Sequence, residues 1–295
     1  MATFLLEIGT EELPAEFSRQ VISQLREKAL ADLNQMRVVH GNILCSSTPR
    51  RIFLLVENIC ELAKDYVEER KGPPEIQAFN NGSPTSAAIG FAKSCGVNPN
   101  ELQIRDTPKG PFVFAKIIEK GKPVDELLIS LVPKWIGDLH GSRFMRWSTG
   151  ERRFSRPIRW IVCLLDQKLI PISILGCNPE IKSGNQSRGH RLFQESLTIT
   201  SPSEYISTLE KNGVQVDRAR RQKIIQNLID KAANEYKSFP DLPHELLEEL
   251  TDLVELPSLV CGQYDDLFLN LPPEVLTTVM RSHQRYIPLY ITDKS

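Results

Sequence analysis

The 295-residue chain carries 36 Lys and Arg against 37 Asp and Glu, a net charge of −1, and is 41% apolar and 25% charged. That is the composition of an ordinary globular protein, long enough to bury about three quarters of its unfolded surface in roughly two domains. It excludes a membrane-spanning helix, because no run of about 18 apolar residues occurs. It also excludes zinc-ribbon and dithiol redox motifs, because none of the six cysteines forms a C-x-x-C pair. No basic region precedes an apolar stretch at the start, so no secretory leader is expected. Reduced thiols and a cytoplasmic location are the matching expectations.

Residues 3–8 are an apolar run stopped by Gly9 and Thr10. The run reads as a strand. Thr10 is expected to cap a helix, with Glu11 and Glu12 at the positive end of its dipole and Pro14 in its first turn. Phe17, Val21, Leu25, Ala29, Leu33 and Met36 then recur at helical spacing. Residues 51–59, rich in Ile, Phe, Leu and Val, read as a buried strand. Residues 71–110 read as a helical insertion with turn chemistry at Gly72-Pro73-Pro74 and Asn80-Asn81-Gly82. Ser83 is expected to cap a helix with Pro84 at its first position, Gly96 to end it, and Asn98-Pro99 to start a second short one.

Mixed patterning returns with a strand over 112–118, a helix over 124–139 carrying Leu127, Leu128, Leu131 and Trp135, and strands over 158–165 and 169–175. Strand, helix, Arg-rich turn and strand thus occur in that order twice, at 3–59 and 112–165, which suggests a structural repeat. Further on, helices are expected over 203–211, 217–236, 244–256 and 272–283, with short strands over 258–261 and 289–291. The fold class that follows is α+β, with mixed sheets, packed helices and several domains. Residues 1–70 and 111–178 are expected to form two α/β parts of an N-terminal domain, 71–110 an insertion, and 179–295 a further α+β domain.

Residues 142–160 hold Arg143, Arg146, Arg152, Arg153, Arg156 and Arg159 against one acid, Glu151, with Phe144, Trp147, Phe154 and Trp160 interleaved. Guanidinium groups match phosphate oxygens with paired hydrogen bonds, and aromatic faces stack on unpaired bases, so RNA contact is one reading. Ion pairing of the arginines with carboxylates over core aromatics is the other. Arg188-Gly189-His190-Arg191 is a second basic spot. Arg218, Arg220, Arg221 and Lys223 are a third, read as the solvated face of a helix capped by Asp217. His190 and His283 are candidates for a general base or an RNA contact, set against hydrogen-bonded structural roles. Glu7, Glu11 and Glu12 suit capping and subunit or domain contact better than metal, because no further hard ligands cluster near them. No P-loop, dinucleotide fingerprint or zinc-protease motif occurs.

Several blocks are more specific than these patterns. Residues 3–14 read Thr-Phe-Leu-Leu-Glu-Ile-Gly-Thr-Glu-Glu-Leu-Pro; Thr48-Pro49-Arg50-Arg51, Gly90-Phe91-Ala92-Lys93-Ser94-Cys95-Gly96-Val97, Phe144-Met145-Arg146-Trp147 and Phe154-Ser155-Arg156-Pro157-Ile158-Arg159-Trp160 follow. Arg188-Gly189-His190-Arg191, Leu271-Pro272-Pro273-Glu274 and Met280-Arg281-Ser282-His283-Gln284-Arg285-Tyr286 complete the order. In that order they resemble the amino-terminal portion of the β subunit of bacterial heterotetrameric glycyl-tRNA synthetases. The resemblance implies a β subunit of glycine–tRNA ligase that binds tRNA(Gly) and docks onto an α subunit, in a tetramer of two α and two β subunits. The class II catalytic core, with its ATP and Mg2+, belongs to α. No catalytic residue, metal or cofactor is then expected in this portion. The His-Asp helical domain and the anticodon-binding domain lie further along the full subunit. The resemblance also implies architecture shared with the editing-type domain of the phenylalanyl enzyme and with RNA-binding domains of archaeal CCA-adding enzymes. A deacylase for mischarged tRNA using His190 or His283, and a pure assembly scaffold, are the alternatives.

Overall fold

The computed structural model describes residues 1–147, 151, 153–174, 176–177, 179–193 and 196–291. It divides into two units, Met1–Asp32 with His40–Ile59 and Leu128–Ser295, and Leu33–Val39 with Cys60–Leu127. Helices and mixed sheets make it an α+β, multidomain fold. Among the described residues no helix is long and apolar enough to cross a membrane.

The larger unit is built on a mixed sheet. Its central strand is β1 (Ala2–Thr10), flanked antiparallel by β3 (Arg51–Ile59) and β4 (Ile158–Leu165). Beyond β3 lies β2 (Ile43–Thr48), and β5 (Ile181–Gly184) runs parallel to β4. Every residue of β1 from Phe4 to Thr10 is buried, which is why its apolar run is nearly continuous rather than alternating. One face carries Phe4, Leu6 and Ile8. It is covered by α1 (Ala15–Gln35), with Phe17, Val21, Leu25 and Ala29 buried, and by α2 (Val124–Gly137). Phe4 meets Trp135 of α2 edge-on at 6.4 Å between centroids, and Trp135 Nε1 donates to Asp32 of α1 at 2.9 Å. The opposite face presents Leu5, Phe53, Val162 and Leu164 to Tyr205, Leu209, Val214 and Val216. These belong to α3 (Tyr205–Lys211) and the segment leading into α4 (Arg218–Glu235).

Several local expectations are revised by backbone pairing. Thr10 caps no helix. It ends β1 and donates its N–H to Arg50 O at 2.8 Å, while Glu11 N bonds Pro157 O and Leu13 N bonds Pro49 O. With its N–H groups tied to both flanking turns, the chain turns helical only at Ala15, and the first-turn acid is Glu16. The repeat does not extend through its whole length either. The two Arg-rich turns do lead into strands on either side of β1, but the strand at Gly110–Glu119 belongs to the smaller unit. The expected strand over 169–175 is two short strands, Lys168–Leu169 and Ser173–Ile174, and Leu175 lies outside the described residues. No strand forms over 258–261, where every residue is exposed. The last helix, Pro273–Thr278, runs into the wider turns of Val279–Gln284.

In the smaller unit, Tyr66–Pro74, Gly110–Glu119 and Gln103–Thr107 form a three-stranded antiparallel sheet with Gly110–Glu119 at its centre. Gly72-Pro73-Pro74 therefore ends a strand and is not a free turn. Ser83 and Pro84 pair with Asn80 and Phe79, so the helix Ser86–Cys95 starts after Thr85. Gly96 ends it at φ 67°, and Asn98 caps the turn Pro99–Glu101. Ala78, Ala88 and Val113 form the core of this unit, with Phe79, Phe91 and Leu102 packed on it.

A charged cluster lies inside the larger unit. Arg51, fully buried, donates from Nε to Glu255 at 3.1 Å and from Nη1 to Arg188 O at 2.8 Å, and Nη1 lies 4.0 Å from Glu7. Glu7 also accepts from Ser187 Oγ at 2.7 Å and from Trp160 Nε1, and Glu255 accepts from Thr48 Oγ1 at 2.6 Å. Burial by itself raises the Glu255 carboxyl, but the Arg51 charge and the Thr48 bond outweigh it and hold the group below its usual range. Glu255 is reached because α5 (His244–Leu253) stops three residues short of the predicted end, with Val254 extended. Removing one partner of a buried pair leaves the other charge uncompensated. Arg51→Met is therefore expected to lower the unfolding free energy by about 3–5 kcal/mol in urea titrations. A carboxyl depressed in the folded state stabilises above its unfolded pKa of about 4.3, and that contribution fades as pH falls through the lower folded value. The native protein should lose this increment in acid, and the Arg51 variant should show a shallower acid slope.

Candidate nucleic-acid interface

The two Arg-rich turns converge where β1 ends. A cleft of about 400 Å³ opens there between Arg50, Trp160, Arg188 and Arg191, with Gln186, Ser187 and Ser196 also on its walls. A second cleft, of about 500 Å³, adjoins it and shares Arg50 and Arg191, with Arg156, Glu11 and Glu12 completing its lining. Four guanidinium groups thus face two carboxylates. Arg191 pairs with Glu12 and Arg159 with Glu11, at 3.2 Å for the latter, so part of the charge is neutralised locally. Arg156 donates to Ser155 O at 2.8 Å.

Trp160 forms the wall between this cleft and the interior. Its indole is stacked by the Arg188 guanidinium 4.8 Å from the ring centroid on the cleft side, and the buried Arg51 guanidinium lies 5.8 Å from it. The ring lies directly on Gly9. A Cβ at that position would come within 1.9 Å of an indole carbon, so the close approach requires glycine. Trp160 Nε1 is then in reach of Glu7, which ties the cleft wall to the charged cluster. Polar groups at the cleft and guanidiniums held by stacking suit an anionic, hydrogen-bonding ligand.

The other predicted residues are placed as follows. Arg188 and Arg191 line the cleft with Arg156, and Arg159 flanks it through Glu11. Arg143, Arg146 and Arg153 are exposed, with Arg146 and Arg153 directly opposite each other on a short two-stranded pairing. Arg152 lies outside the described residues. The interleaved aromatics are largely interior. Phe144 and Phe154 form a triangle with Phe17, centroids 5.4–5.7 Å apart, and Trp160 is buried. Glu11 and Glu12 are exposed, but Glu7 is not at a surface. It is a fully buried acceptor inside the unit, joined to Ser187 and Trp160, so of the two contacts expected of it the burial leaves the one within the chain. His190 is half-buried, its Nδ1 accepting from Leu192 N at 3.3 Å and its ring against Phe193. His283 is exposed on the wide-turn segment after the last helix. Among the described residues no carboxylate or hydroxyl hydrogen-bonds either imidazole.

The third basic spot is a solvated face only in part: Arg220 and Lys223 are exposed, whereas Arg218 and Arg221 turn inward. Arg221 is fully buried and donates to the carbonyls of Thr251, Gln215 and Ser47 at 2.6–2.8 Å. Burial pulls its pKa down to about 10. Arg218 forks onto Asp252 and Glu248 at 2.6–3.0 Å. Asp217 caps α4 as expected, accepting from Ala219 N and Arg220 N. Sequence reasoning misses Gln186, Ser187 and Ser196 as site candidates, and among the arginines of the cleft it misses Arg50. A signal for it exists, because Thr48-Pro49-Arg50-Arg51 occupies the place in the chain pattern that Ser155-Arg156-Pro157 occupies before β4.

The chain matches the family model described as glycyl-tRNA synthetase beta subunit over residues 4–295. It is 46% identical over 290 residues to the glycine–tRNA ligase beta subunit of Acaryochloris marina, covering 98% of this chain and 41% of that protein. It is 44% identical over 296 residues to the beta subunit of Trichodesmium erythraeum, covering all of this chain and 41% of that one. For the beta subunit of Syntrophomonas wolfei the identity is 39% over 288 residues, covering 97% of this chain and 41% of that one. The chain thus spans about two fifths of the length of these curated relatives, at 41% in each.

Gly9→Ala is expected to push the Trp160 indole off β1, break its bond to Glu7 and open the cleft wall, at a cost of about 1–3 kcal/mol. Tryptophan emission should shift to the red. The shift should vanish in a Trp160→Phe background; a red shift persisting there would locate the change at another indole.

Proposed function

This chain belongs to the glycyl-tRNA synthetase β-subunit family, and we propose that it is the tRNA-gripping portion of a glycine–tRNA ligase. In this reading it holds the RNA backbone and docks onto an α subunit. ATP, Mg2+ and the formation of glycyl-adenylate are supplied by that other polypeptide. The observation that carries the reading is the paired cleft with Arg50, Arg156, Arg188 and Arg191 on its walls and Trp160 between it and the interior.

The chemistry is that of backbone gripping. A guanidinium offers two parallel N–H donors to a phosphate, and it stays charged at any physiological pH. Arg188 is held in orientation by stacking on Trp160, so less freedom is lost when it takes up a phosphate oxygen. Gln186 and Ser196 add neutral donors and acceptors on the cleft wall, while the buried Ser187 hydroxyl is taken by Glu7. Glu11 and Glu12 reject anions from the wrong side of the cleft while idle and keep Arg159 and Arg191 extended. The exposed Arg143, Arg146 and Arg153 extend the positive surface.

The test is tRNA affinity of the assembled holoenzyme across a salt series, with Arg50→Gln, Arg156→Gln and Arg191→Gln in the full-length β subunit. Each phosphate-binding guanidinium removed should reduce the log–log salt slope by roughly 0.7–0.9. ATP-dependent activation of glycine should be unchanged, because those arginines stand apart from that step. An unaltered slope in all three variants would rule the reading out.

A further inference from the structure

The open face of the sheet in the smaller unit is built for unpaired bases. Gly110–Glu119 is the central strand, and its side chains alternate between two faces. Val113 and Ala115 point to the face covered by the helix Ser86–Cys95 and are fully buried. Phe112, Phe114, Lys116 and Ile118 point to the other. Their cross-strand neighbours fix the rest of that face. Lys71 and Gln103 lie opposite Phe114, Arg105 opposite Phe112, Glu69 opposite Lys116 and Val67 opposite Ile118. Both phenylalanines are only half-buried, while Val67, Lys71, Lys116 and Ile118 are exposed, and neither ring joins the core of the unit.

We propose that this face binds a short single-stranded RNA segment, with successive bases stacked on Phe112 and Phe114. Two aromatic rings two residues apart on a central strand stand on one face at the spacing of neighbouring strand positions, roughly 7 Å, which a nucleotide backbone easily spans. Three of the four charged side chains on the face are cations, and the fourth, Glu69, is held by Arg105 through paired bonds of 2.8 Å. The cations already occupy the ring faces. Lys71 Nζ lies 3.5 Å from the Phe112 centroid and the Arg105 guanidinium 5.6 Å from that of Phe114. An incoming base replaces Lys71 over Phe112, and its ammonium moves outward onto the adjoining phosphate; at Phe114 the base enters beside Arg105, which stays paired with Glu69. The ring face thus stays covered throughout, and the positive charge ends beside the anion it attracts. A protein partner would meet the same rings but gain little from mobile, solvated ammonium groups at their edges.

This surface is distinct in chemistry from the arginine-lined cleft, which offers guanidiniums to a backbone and one indole already covered. It rests on the ligase reading only for the identity of the RNA. The experiment uses the full-length β subunit assembled with its α partner. The probes are a labelled unstructured RNA of about eight nucleotides and a duplex RNA of the same charge. Phe112→Leu with Phe114→Leu keeps apolar side chains on the strand but removes the stacking faces. It should weaken the single-stranded probe by about 5- to 150-fold for each base left unstacked and leave the duplex unchanged. Lys71→Gln with Lys116→Gln, both at exposed positions that cannot unfold the unit, should lower the salt slope for the same probe by roughly 1.4. Unchanged binding of the single-stranded probe in both double variants overturns the proposal. So does loss of α-subunit association in place of RNA binding, which would make the face a protein-docking surface. The cleft variants separate the two readings. If Arg50→Gln and Arg156→Gln weaken tRNA while the phenylalanine variants bind the single strand normally, this inference fails and the ligase reading stands.

Discussion

A guanidinium between two buried carboxylates sets the geometry of the larger unit. Arg51 lies at the start of β3, and it is held by Glu255, by Glu7 and by the carbonyl of Arg188. Desolvating such ions costs several kcal/mol each, so the cluster is tolerable only while both carboxylates stay beside the guanidinium, whose buried Nη2 has no hydrogen-bond partner. The constraint therefore reaches far along the chain. It holds β1 to β3, draws the segment after α5 back to the sheet, and pins the Ser187–Arg188 backbone beside the end of β1. The same Glu7 carboxylate takes the Trp160 indole N–H, and Gly9 leaves the space for the ring. What faces solvent on the far side of that indole is the arginine cleft.

The cleft and the buried cluster are thus two sides of one wall. Arg51 is on the inner side of the indole, neutralised by carboxylates and shut off from water. Arg188 stacks on the same ring and faces the cleft. Loosening the interior pair would be felt at the surface through Trp160, with no residue of the cleft itself altered. The smaller unit works differently. Its core is small and confined to one side of a three-stranded sheet, and this leaves its other side, with Phe112 and Phe114, free to meet a ligand. The two proposed surfaces differ in chemistry: the larger unit offers guanidiniums to a backbone, the smaller one aromatic rings with cations beside them.

Where a local rule operates alone, the sequence is legible. The strand Ile158–Leu165, the Asp217 cap, the Gly96 terminus at φ 67° and the Asn98 cap all follow from the neighbouring residues. Thr10 departs from its expected role because its backbone N–H has a better partner, the Arg50 carbonyl, which no window around Thr10 contains. Arg221 departs for a related reason. A run of basic residues on a helix reads as solvated, yet this one meets three carbonyls from Ser47, Gln215 and Thr251, and the distance in sequence hides them. Of the cleft, Arg156, Arg188 and Arg191 are legible as basic candidates, whereas Arg50 stands out only as part of a motif; behind the cleft, nothing adjacent to Glu7 signals that it is buried against Trp160 and Ser187.

The sequence by itself determined the family, the α+β class and the element types, because motifs, periodicity and capping are properties of adjacent residues. The tertiary structure alone decided which charges are inside and which face the cleft. Side chains from residues 7, 51, 160, 187 and 255 become neighbours only when β1 is flanked by β3 and β4, and the solvation of a charge depends on those neighbours.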